Sequence, residues 1–108
     1  MKKIELNKRN SLKIDNDLYY YSFNNLDSNN VSVFYETEIR FIQFHFCLDG
    51  NLSFEYNNGA YSFPLQKDNS ILLFNPSTNL PVNVKMGGKS KLVSLLISIE
   101  KFHSLFSE

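Results

Sequence analysis

Apolar and polar residues alternate along this chain in short runs, interrupted every few residues by Asn, Asp or Gly. Alternation with period two marks strands that bury one face, and the frequent breaks mark turns. The runs predict ten strands, at residues 4–6, 12–14, 19–23, 31–36, 39–48, 52–56, 61–65, 71–74, 80–84 and 92–97. Such spacing belongs to an all-β sandwich or small barrel. The exception is the final stretch, SIEKFHSLFSE, which predicts one short helix over about 99–107. Ser98 is its expected cap, and Glu100 suits the positive end of the helix dipole. Ile97 and Phe102 are placed to form a hydrophobic staple. Phe102, Leu105 and Phe106 fall on one face, which docks on the sheet or meets a partner subunit.

Turn chemistry predicts which way the strands face. Asp49-Gly50 is the signal of a two-residue hairpin, which would pair Cys47 with Leu52, His45 with Phe54 and Gln43 with Tyr56. Asn58-Gly59 signals a second hairpin, pairing Tyr56 with Tyr61 and Phe54 with Phe63. Cross-strand partners share a face. One face therefore gathers Phe41, Gln43, His45, Cys47, Leu52, Phe54, Tyr56, Tyr61 and Phe63, while Ser53, Glu55 and Ser62 face solvent. Gly87-Gly88 reads as a third tight turn, setting Val82 against Val93 and Leu80 against Leu95 in an aliphatic core hairpin.

Two positions on the inward face are polar, Gln43 and His45. A buried polar group needs a hydrogen-bond partner, so each is either satisfied within the core or aimed at a ligand. Pockets combine apolar walls with a few convergent polar groups, and this set fits that description. Gln43 and His45 would supply hydrogen bonds, with Phe54, Tyr56, Tyr61 and Phe63 as stacking walls suited to a sugar or another flat, amphipathic metabolite. The other face of the longest strand carries Ile42, Phe44, Phe46 and Leu48. A strand apolar on both faces is covered on both, by this chain or by a second copy.

Composition narrows the reading further. In 108 residues, eleven Lys and Arg balance eleven Asp and Glu, so no net field draws the chain to nucleic acid or an anionic membrane. One domain is expected at this length, with strands to about 36, a barrel over about 39–97 and the helix behind it. The single cysteine, Cys47, excludes an internal disulfide and reads as a small buried hydrophobe in a reducing compartment. MKKIELNKRN has no signal-peptide core and no run is long enough to span a bilayer, so a cytoplasmic location is expected.

The segments IQFHFCLDG, ILLFNP with LP shortly after, and KLVSLLISIEKFHSLFSE resemble the N-terminal sensor domain of AraC-family bacterial transcription regulators. Those domains are jelly rolls of the cupin superfamily, and the likeness runs from about Ile39 to Ser107. It implies a cupin-like jelly-roll barrel of two antiparallel sheets that binds a small-molecule effector and takes part in dimerisation. It also implies DNA contact only through a C-terminal helix-turn-helix domain, and nothing up to Glu108 reads as a recognition helix.

The resemblance also allows a test for metal chemistry, since many cupins hold a metal on two histidines and a glutamate ahead of a glycine. With Gly50 as that glycine, the glutamate position falls on Gln43 and the histidine positions among Glu36, Thr37, Glu38 and Ile39. A later histidine would fall on Leu80 or Pro81. No metal or other cofactor is therefore expected, and His45 and His103 alone cannot build a zinc or iron site. No nucleophile constellation or phosphate cradle is visible. The expectation is a non-enzymatic sensor and dimerisation domain, with Phe44, Phe46, Phe102, Leu105 and Phe106 as interface residues. The alternatives are a stand-alone interaction module and a small metal-independent enzyme.

Overall fold

A computed structural model describes residues 2–4, 11–56, 59–78 and 80–106. These form β1 (Lys2–Ile4), β2 (Ser11–Asp15), β3 (Leu18–Asn25), β4 (Val31–Tyr35), β5 (Phe41–Asp49), β6 (Asn51–Tyr56), β7 (Tyr61–Gln66), β8 (Ser70–Leu73), β9 (Val82–Met86), β10 (Ser90–Ser98) and α1 (Ile99–Phe106). All ten expected strands are present, the first at Lys2–Ile4 rather than 4–6; residues 5 and 6 lie outside the described ones. The strands make two five-stranded sheets, ordered β1-β4-β9-β6-β7 and β2-β3-β10-β5-β8. Pairing is antiparallel throughout except for β1 beside β4.

Register lines the inner faces up in cross-strand rows. In the first sheet, Val31, Met86, Leu52 and Leu65 form one row and Val33, Val84, Phe54 and Phe63 the next. A third row begins with Tyr35 beside Val82 and ends with Tyr56 beside Tyr61. In the second sheet the rows are Phe23, Leu92 and Cys47; then Tyr21, Ser94, His45 and Ile71; then Tyr19, Leu96, Gln43 and Leu73. The core forms where these faces meet, and most of its apolar side chains are almost fully excluded from water. Burial of such side chains, at roughly 1.5–3 kcal/mol each, is the main force holding the sheets together.

Two of the three expected turns are corners between sheets. β5 and β6 do not pair: β5 lies between β10 and β8, and β6 between β9 and β7. Gly50, at φ +70°, carries the chain across from one sheet to the other. The expected inward set still shares one interior, because His45 meets Phe54 across the sandwich with ring centroids 4.7 Å apart. Gly87-Gly88 likewise joins β9 in one sheet to β10 in the other, so Val82 pairs with Tyr35 and not with Val93. Val93 and Leu95 point outward there, beside Phe46 and Phe44. The two corners bind each other: Ser90 Oγ accepts from Asn51 N–H at 3.0 Å and donates to the Asn51 carbonyl at 2.9 Å. Gly87 N–H donates to the same carbonyl at 2.9 Å.

β6 and β7 pair in the register expected on either side of Asn58-Gly59, with Tyr56 opposite Tyr61 and Phe54 opposite Phe63. Asn57 and Asn58 lie outside the described residues. At the end of β10, Ser98 Oγ accepts from Lys101 N–H at 3.0 Å and caps α1. The helix buries none of its residues fully, and Leu105 and Phe106 are exposed. No helix among the described residues is long and apolar enough to cross a membrane.

Candidate ligand-binding site

The sandwich is open along one edge. β7 and β8 are the last strands of their sheets, and β8 has only four residues, so the inner face of β7 is not fully covered. A cavity of about 420 Å³ opens there, lined by Tyr56, Tyr61, Phe63, Leu72, Leu73, Phe74, Asn75, Pro76 and Leu80. Tyr61 and Phe63 share the inward face with Tyr56, yet they are 58% and 43% exposed because they stand at this mouth. Asn75 shapes the rim: its Oδ1 accepts from Ser77 and Thr78 N–H, and its Nδ2 donates to Thr78 Oγ1. That is an Asx-type turn.

Of the six residues expected to bind a ligand, the structure brings Tyr56, Tyr61 and Phe63 to the cavity. Gln43, His45 and Phe54 lie behind it, all at most 1% exposed. Gln43 and His45 are satisfied core residues and not free ligand donors. Gln43 Nε2 donates to the Leu80 carbonyl at 2.6 Å and to Thr37 Oγ1 at 3.1 Å. A carbonyl only accepts, which fixes the orientation of the Gln43 amide and leaves Oε1 facing His45. His45 Nε2 must then carry the proton it shares with Oε1 at 2.9 Å. The bare Nδ1 accepts from Ser94 Oγ at 2.6 Å. Burial drives the imidazole pKa down to about 3, so the ring is neutral and the chain of donors has one direction. This network meets the cavity lining at Leu80, whose carbonyl also accepts from Thr37 at 2.8 Å.

The remaining lining residues, Leu72 to Pro76 and Leu80, are absent from the sequence-based set. Their signal is in ILLFNP, a run apolar at both parities that ends in a turn. Such a run serves two surfaces: Leu73 pairs with inward Gln43, and Leu72 with outward Phe44.

A second hollow of about 200 Å³ lies among Tyr19, Tyr21, Glu36, Thr37, Glu38, Arg40, Phe41 and Leu96. Arg40 holds its rim, paired with Asp17 at 3.0 Å, Glu38 at 3.0 Å and Glu100 of α1 at 3.1 Å. These are surface pairs, each worth little. Cys47 is 1% exposed and its thiol pKa is pushed up by burial, which leaves it inert. Among the described residues no three His, Cys, Asp or Glu side chains gather where they could hold a metal ion.

The expected interface residues separate into two regions. Phe44 and Phe46 are half-buried on the outer face of their sheet, beside Val93, Leu95 and the exposed Leu72. On α1, Phe102 packs against Phe106 with centroids 4.8 Å apart and the rings tilted by 48°, and Leu105 is exposed.

Comparison with known proteins finds no matching family model and no matching curated protein. Among solved structures, an HTH_3 family transcriptional regulator from Vibrio cholerae has a similar fold, at 13% identity and a TM-score of 0.54. The match covers 76% of this chain and 43% of that one, so this chain corresponds to less than half of the regulator. At that identity the likeness is one of fold: a two-sheet β domain that also occurs within a larger protein.

Proposed function

We propose that this chain is a non-catalytic, metal-free sensor domain, of the type found in AraC-family regulators, that binds a small metabolite in the cytoplasm. The cavity between β7 and β8 carries this reading. Its volume of about 420 Å³ falls in the usual range for small-molecule sites, roughly 300–1,000 Å³. Its walls are mostly aromatic and aliphatic, and the hydrogen-bonded Gln43 network adjoins it at Leu80. The Vibrio cholerae regulator offers a setting in which such a fold accompanies other sequence. Occupancy would be relayed through the segment around Leu80, which touches both the cavity and the Gln43 network.

A thermal-shift screen against sugars and central metabolites tests the reading. A binder at a hundred times its dissociation constant adds about 2.7 kcal/mol of stability. That gain should disappear in Phe63→Ala and Leu73→Ala and persist in Phe106→Ala. A hit equally strong in the two cavity variants rules the cavity out as the sensor site.

One observation favours a second role, as an interaction module. The outer face formed by Phe44, Phe46, Leu72, Val93 and Leu95 is apolar across three neighbouring strands. Continuous patches of this kind mark contact surfaces, and a second copy of the same face is the simplest complement.

A further inference from the structure

The second hollow, beside the segment that joins β4 to β5, leaves inward aromatic rings in contact with water. Tyr19 and Tyr21 stand in the same inward rows as Leu96 and Ser94, and Phe41 precedes inward Gln43 by two residues on β5. Leu96, Ser94 and Gln43 are buried, whereas the three rings are only half-buried and pack on the core from one side. The ring centroids of Tyr19 and Phe41 are 6.0 Å apart with planes inclined at 56°. Those of Tyr19 and Tyr21 are 6.5 Å apart at 28°. These rings line a space of about 200 Å³. Drug-sized sites run to roughly 300–1,000 Å³, so an occupant here must be small.

Charge then selects the occupant. Glu36, Glu38 and Arg40 complete the lining with Thr37 and Leu96. The Arg40 guanidinium is shared by Asp17, Glu38 and Glu100, while Glu36 has no ion-pair partner among the described residues. Lys13 stands opposite Tyr19 on the edge strand β2. Four carboxylates (Asp17, Glu36, Glu38 and Glu100) against two cations (Arg40 and Lys13) leave this neighbourhood negative. The faces of aromatic rings also attract cations. The chain itself uses that attraction, with the Arg40 guanidinium carbon 5.0 Å from the centre of the Phe41 ring. A primary ammonium gives up tightly held water to sit against rings, whereas a methylated one spreads its charge over apolar groups and gives up less. We infer that this hollow is a second ligand site, for a small quaternary ammonium group, with Tyr19, Tyr21 and Phe41 as walls and Glu36 and Glu38 as counter-charges. It is independent of the cavity between β7 and β8, whose lining carries no charged side chain.

The test titrates the whole chain with choline chloride and with dimethylbutanol, in which a quaternary carbon replaces the nitrogen, at constant ionic strength. Sodium pivalate, of similar shape and opposite charge, is the third probe. Backbone amide NMR supplies the dissociation constants. Choline should shift the amides of Tyr19, Tyr21, Glu36 and Phe41 and bind about tenfold more tightly than dimethylbutanol. Tyr19→Leu should weaken choline about two- to fivefold, and Tyr19→Phe, which keeps the ring face, should retain it. Glu36→Lys should weaken choline about three- to tenfold and leave dimethylbutanol unchanged. Glu36 is exposed, so that variant keeps the fold and the test stands even where Tyr19→Leu fails to fold. Equal affinity for choline and dimethylbutanol, or pivalate bound at these amides, overturns the inference. So does choline affinity unchanged in folded Tyr19→Leu or in Glu36→Lys. Choline shifts confined to Tyr61, Phe63 and Leu72, or no shift at all, overturn it too. Phe63→Ala, which disables the first cavity, should leave choline binding intact, so failure of one site is told apart from failure of the other.

Discussion

His45 illustrates how one buried polar residue is kept. Its ring is held between Gln43 and Ser94, fully excluded from water, and neutral because burial outweighs every other influence on it. Gln43→Leu strands the Nε2 proton, and His45→Leu strands the Gln43 carbonyl, so each should cost about 1–3 kcal/mol in urea denaturation. Removing both leaves fewer orphans than the two changes separately, so the double variant should cost at least about 0.5 kcal/mol less than their sum. An additive result would mean that the two side chains do not act as a pair. The pH dependence follows from the same burial. An exposed imidazole titrates near 6.5, whereas the folded ring resists protonation down to about 3. Between those values the unfolded chain binds a proton that the folded chain does not, so stability is full above pH 6.5 and falls as pH is lowered. Asp15 and Asp17, held below the usual carboxylate range chiefly by Lys101 and Arg40, lose their contribution only further into acid. From pH 6.5 to 5, then, unfolding free energy should drop in the parent and drop less in His45→Leu.

At the scale of elements, the two glycine turns separate a corner from a hairpin. Gly50 and Gly59 both have positive φ, at +70° and +87°. A side chain at Gly50 would run into the Ser90 backbone at 2.8 Å and the Lys89 carbonyl at 2.9 Å, while at Gly59 it meets open space. Gly59→Ala should therefore cost only backbone strain, about 1–2 kcal/mol. Gly50→Ala adds a clash with the neighbouring corner and should cost about 2–5 kcal/mol. Equal losses in urea unfolding would contradict the packed corner. This pair also shows what a turn motif conveys. Asp49-Gly50 and Asn58-Gly59 carry the same local signal, and inward positions switch parity across Gly50 whether the chain folds back in its own sheet or crosses to the facing one. Facing was legible for that reason, and pairing partners were not. Gly87-Gly88 misled further, because there the corner placed Val93 and Leu95 outside.

On the scale of the whole molecule, the two sheets enclose a core, leave a cavity at one edge and expose an apolar outer face on the β10, β5 and β8 side. Sedimentation at rising concentration should detect a dimer, and Phe46→Glu with Leu95→Glu should return it to monomer without loss of fold. A monomer at millimolar concentration would remove the interaction reading and leave the sensor reading untouched. The candidate site was half readable in advance. Tyr56, Tyr61 and Phe63 announced themselves as aromatics on an inward face, but Gln43 and His45 looked like ligand donors because two of their partners, Ser94 and the Leu80 carbonyl, come from distant parts of the chain. Local order along the chain determined the strands, the helix with its Ser98 cap, and which side of β5, β6 and β7 faces inward, since alternation and capping act over a few residues. Only tertiary structure decided which strands share a sheet, which buried polar groups find partners and where the sandwich stays open. Those depend on contacts between residues dozens of positions apart, and no nearest-neighbour pattern records them.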